Sequence, residues 1–156
     1  MSHGPSSLTY SQMLNWQFGK SPAVTPAGIV YIGLHVGSPG HDGQSGTEAT
    51  GSGYARVLTA ATDWAAAVTA SGVVTLSNAT EIVFAAASGD WSSGGEHTHW
   101  TMWNHLTNNA ASNFLYSGQI TVGSPAVASP LIVLNTHQPR WAVGKLLTRG
   151  SQAADI

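Results

Sequence analysis

The residues best placed to do chemistry are Glu96-His97-Thr98-His99, with His105 downstream. On a strand, alternation sends His97 and His99 to one face, where two imidazoles can grip a Zn, Fe or Mn ion. In small-barrel metalloenzymes such a pair is completed by a Glu a few residues on and by a later His. Here the positions that would supply the carboxylate hold Met102, Trp103 and Asn104, and Glu96 points away from His97. Completing the site would require His35, His105 or His137 from other strands. The plainer reading packs these histidines beside Trp100 and Trp103 or places them at a subunit contact, so no metal or other cofactor is expected. Serine hydrolysis finds no G-x-S-x-G elbow. Asp90 beside Trp91 and Glu96 near Trp100 evoke a glycosidase pair, but Asp in Gly-rich turns is ordinary strand punctuation. Six Trp make sugar binding without hydrolysis the better version of that idea. The run Gly46 to Gly53 has neither a dinucleotide-binding order nor a Lys-Ser or Lys-Thr ending, so it holds no phosphate. The expectation is a protein that is not an enzyme.

The elements that carry these residues are set by an unusual composition. The chain has 156 residues, 42% hydrophobic but only 8% charged, with 18 Gly and no Cys. Domains usually carry about 25% charged residues, and exposed helices rely on Glu, Lys and Arg on their wet face. Strands are therefore expected instead. A formal charge of -2 offers no basic field for nucleic acid, and with no long apolar run neither export nor a membrane partner is expected. Ser7 to Phe18 reads as a short helix capped by Ser7 or Thr9, with an apolar side that must lie on something else. Gly28 to Val36 is the clearest strand, with Val30, Ile32, Leu34 and Val36 facing a core. Residues 37–53 form a long Gly-rich loop, and loops of that length are functional or are held by a neighbour. Further strands are expected at 54–60, 73–76, 80–85, 98–103, 114–122 and 126–134. The fold class is all-β: a single antiparallel β-sandwich or jelly-roll-like barrel. The expected divisions are an N-terminal arm and helix over 1–27, the sandwich over 28–137 and an extended C-terminal arm over 138–156.

Several segments taken in order carry a family resemblance. Tyr31-Ile32-Gly33-Leu34-His35, Ser38-Pro39-Gly40, Thr47-Glu48 and Gly51-Ser52-Gly53-Tyr54-Ala55-Arg56 come first. Gly89-Asp90-Trp91, Thr98 to Asn104 and Asn113-Phe114-Leu115-Tyr116-Ser117-Gly118 follow. Together they resemble a family of tailed-bacteriophage virion proteins labelled as tail-fibre or capsid-decoration components, over residues 10–135. Asn104 stands where the family usually has Asp, and the segment from Gln138 onward runs past where such chains often stop.

That segment holds three of the five basic residues, Arg140, Lys145 and Arg149, interleaved with Trp141, Val143, Leu146 and Leu147. Burying so few apolar side chains falls short of the entropy of ordering it, so it is expected to be held by a neighbouring subunit. With the resemblance, this leads to a decoration, or cement, protein on the capsid surface, made in the host cytoplasm. Its partners would be the major capsid protein and copies of itself, with a trimer implied by analogy. The expected partner-binding residues are Arg140, Trp141, Lys145, Leu146, Leu147 and Arg149, with loop contacts at His41, Asp42 and Glu48. The alternatives are a tail-fibre or tail-tip component touching a host glycan, and a metal enzyme centred on His97 and His99.

Overall fold

The computed structural model describes residues 4–20, 28–70, 73–122 and 127–151. In chain order the elements are β1 (Gly4–Pro5), α1 (Ser7–Gln17), β2 (Ile29–Val36), β3 (Thr47–Glu48), β4 (Val57–Ala60), β5 (Val68–Ala70), β6 (Val73–Ser77) and β7 (Ile82–Val83). There follow β8 (Glu96–His97), β9 (His99–Trp103), β10 (Phe114–Gln119), β11 (Thr121–Val122), β12 (Val127–Ala128), β13 (Leu131–Ile132), β14 (Arg140–Trp141) and β15 (Leu147–Ser151). The fold is all-β, its described strand pairs are all antiparallel, and the sheets do not close into a barrel.

The main sheet has the order β1-β10-β9-β2 and ends on β3 and β4, which lie one after the other along the free edge of β2. A second sheet, β15-β6-β5, and the short pairs β11-β12, β13-β8 and β14-β7 complete the body. The core between them holds Ile32 and Leu34 from β2, Trp100 from β9, and Ile82, Phe84, Trp91, Val133 and Leu146. Alternation along β2 predicts one buried face, but Ile32 to His35 are buried in succession. Both faces are covered because the Gly-rich loop folds back over the side that carries Gly33 and His35.

Two other expectations change at the ends of the chain. Helix α1 is capped by Ser6, whose Oγ accepts the Thr9 N–H at 3.1 Å and donates to the Phe114 carbonyl at 2.7 Å. Residues 140–151, expected as an extended arm awaiting a neighbour, instead run along the chain's own strands: β14 on β7 and β15 on β6. β15 also lies beside β1, so the first and last described strands are neighbours. Positions 1–3, 21–27, 126 and 152–156 of the expected arms and strands lie outside the described residues.

Candidate functional site

The chemically richest place in the molecule is the buried face of β2 beneath the loop. β3 sets Glu48 opposite His35, while β9 sets His99 opposite His35 on the other side. Arg56, at the end of the loop, reaches Glu48 with Nε to Oε1 at 2.7 Å and Nη2 to Oε2 at 2.7 Å. This is the bidentate geometry in which guanidinium and carboxylate match best. Arg56 also donates to the His105 carbonyl at 2.6 Å and to Asn109 Oδ1, and its Cζ sits 4.0 Å from the centroid of the Trp103 ring. Tyr54 donates to Glu48 Oε1 at 2.9 Å and accepts the Leu34 N–H at 3.1 Å. Burial and the Glu48 carboxylate push the Tyr54 phenol far above its ordinary pKa, so it stays protonated as a donor.

Gly33 makes this cluster fit. A Cβ there would stand 2.9 Å from Thr101 Oγ1, 3.0 Å from Tyr54 Oη and 3.1 Å from Glu48 Oε1. Gly43 does the same for the loop crown. It sits at φ +74, and a Cβ would come 2.7 Å from both Phe114 and Trp103. The loop is long because it is a lid over the sheet, fastened by one ion pair and two aromatic rings.

His35 lies inside the cluster, stacked on Trp103 with centroids 6.3 Å apart. Burial pulls its pKa down to about 4, the nearby Glu48 opposing and Arg56, His99 and His97 adding to the depression. Neither ring nitrogen finds a hydrogen-bond partner among the described residues. A neutral imidazole closed off from solvent, beside charges that satisfy one another, braces the sheet.

The residues singled out in the sequence fall in different places. His97 is fully buried; its Nδ1 donates to the Leu131 carbonyl at 3.0 Å, which leaves Nε2 to accept from Ser92 Oγ at 3.2 Å. His99 is buried too, with Nδ1 2.8 Å from Thr98 Oγ1. Among the described residues no three His, Cys, Asp or Glu side chains converge to hold a metal. Glu48, expected as a surface contact, is instead the anchor of the loop, because Arg56 draws it inward. His41 and Asp42 are exposed on the loop; the His41 carbonyl accepts from Ser7, and Asp42 Oδ1 accepts from Gln44.

In the C-terminal segment Leu146 is a core residue, not a docking anchor. Trp141 packs on Phe84 with centroids 5.8 Å apart. Arg140 and Lys145 are exposed, with Arg140 3.8 Å from Glu81 across open solvent. Leu147 and Arg149 pair through their backbones with Ser77 and Thr75, and their side chains lie outside what is described. The Trp platform does not form either. Trp91, Trp100 and Trp103 are buried and Trp64 and Trp141 half-buried, leaving Trp16 as the strongly exposed one. One open groove of about 400 Å³, lined by Val30, Thr59, Trp64, Leu76 and Met102 among others, contains no ionisable side chain. No helix among the described residues is long and apolar enough to cross a membrane.

A charge-poor antiparallel body whose polar cluster is spent on fastening its own loop defines a structural β-module. A family model described as "Podophage GP4 fiber I protein gp80" matches residues 4–138, and the chain belongs to that family of fibre-related phage structural proteins. A search of curated proteins found no match to it. The residues that sequence reasoning missed are Tyr54 and Arg56 as partners of Glu48. The available signal was a paired acid and base in a chain with so few charges, eight residues apart across a Gly-rich turn.

Proposed function

We propose that the chain is a structural, non-catalytic subunit of the tail fibre of a podophage and resides in the virion. The observation that carries this is the family match, which takes in the main sheet together with the loop and its Glu48–Arg56 fastening. The low charge supports it, since a surface poor in Lys and Glu loses little hydration and side-chain entropy when neighbours cover it. The capsid-decoration reading depends on a C-terminal arm in need of a neighbour. With Leu146 in the core and β15 on β6, that need is met within the chain.

Gentle disruption of purified virions, followed by separation of heads from tails and gel densitometry, tests the proposal. The expected result is a low copy number per virion, travelling with the tail fraction. Capsid-scale copy number retained on separated heads would overturn it in favour of decoration.

A further inference from the structure

Helix α1 is built inside out. A short surface helix ordinarily turns its apolar stripe to the body and its polar face to water. In α1 the half-buried positions are Leu8, Thr9, Gln12 and Asn15, three of them polar, whereas Tyr10, Met13 and Leu14 face outward. No residue of the helix is buried. Exposure runs from 51% at Leu14 through 53% at Tyr10 and 55% at Met13 to 70% at Phe18 and 71% at Trp16. Polar bonds at its first turn hold the helix to the body: Ser6 N–H and Thr9 Oγ1 both donate to the Leu115 carbonyl, at 2.9 and 2.8 Å. At eleven residues, the helix is also too short to persist on propensity alone.

We propose that α1 is a self-association element, whose stripe Tyr10, Met13, Leu14 and Phe18 packs against the same stripe of a second copy of this chain. The spacing i, i+3, i+4 puts the first three on one side of the helix, and Phe18 extends that side at its end. The choice of a second copy follows from charge. The sequence Ser7–Gln17 holds no Lys, Arg, Asp or Glu, and a two-fold contact sets the residues nearest its axis against their own copies, so an uncharged stripe meets itself without repulsion. A helix made to lie on an anionic membrane would carry Lys or Arg along its polar face, and α1 has none. The four side chains offer on the order of 400 Å² per copy, against about 800 Å² per partner in a standard interface. The stripe is thus the apolar centre of a contact to which the adjoining surface also contributes.

The chain contains no cysteine, so a single introduced thiol reports proximity directly. In the full-length protein, Met13→Cys and Leu14→Cys should each form an intermolecular disulfide under mild oxidation, and Leu58→Cys, equally exposed but on β4, should not. Light scattering coupled to size exclusion should show an oligomer that Met13→Glu/Leu14→Glu converts to monomer with its circular dichroism spectrum unchanged, since neither side chain is buried within the single chain. A monomeric wild type, an oligomer indifferent to the Glu variant, or equal cross-linking at position 58 would each overturn the proposal. The contact does not depend on where in the virion the chain sits, so this test and the fractionation of virions fail independently.

Discussion

Arg56 and Glu48 are the pair on which the loop depends, and their burial sets what substitution does. Removing one partner strands the other charge in an apolar surrounding, which typically costs about 3–5 kcal/mol, whereas replacing both with apolar residues is often close to neutral. Glu48→Leu and Arg56→Met should each lower the midpoint of urea unfolding strongly. The double variant Glu48→Leu/Arg56→Met should recover much of the loss, and a double-mutant cycle measures that coupling. His35 gives a pH signature. Its pKa is about 4 when folded against 6.5 for a free side chain, so the unfolded chain binds more protons between those values and stability falls as pH drops through that window. A shift of that size amounts to on the order of 3 kcal/mol. His97 is depressed in the same direction by its own burial. His35→Phe should therefore flatten part of the stability-against-pH curve between pH 4 and 6.5 while holding its own at neutral pH, as measured by chemical denaturation across pH.

The C-terminal turn depends on one side chain in a comparable way. Asn78 is buried, and its Nδ2 donates to the carbonyls of Thr80 at 2.7 Å and Ala142 at 3.0 Å, while its Oδ1 accepts the Leu146 N–H at 2.9 Å. Asn78→Ala leaves those groups without partners, which should cost about 3 kcal/mol. Hydrogen exchange should speed up in residues 140–151 before the rest of the sheet. Deleting residues 138–156 would take Leu146 out of the core and leave Asn78 without its partners, so the truncated chain should lose the fold. Strand β2 was legible because eight residues rich in Ile, Val and Tyr alternate between Pro26 and Pro39. The two-residue strands β3, β7 and β14 are too short to show any period, and they place Glu48, Phe84 and Trp141. That is why Glu48 reads from sequence as a loop contact and Leu146 as part of a free arm. The helix was legible as a helix, but the direction of its apolar side was not.

At the scale of the whole molecule, scarce charge takes on a specific meaning. Two of the twelve formally charged side chains face each other inside the structure, which leaves the exterior poorer still. An exterior of that kind, with an outward apolar helix, suits a particle that spends its life among other subunits. The closeness of β1 and β15 adds a mechanical consequence. Each is an edge strand, attached to its sheet along one side. A pull applied between them would strain two peripheral seams before reaching Trp91, Phe84 or Leu34 at the centre. Either outer strand can therefore peel from its sheet while the aromatic centre stays packed.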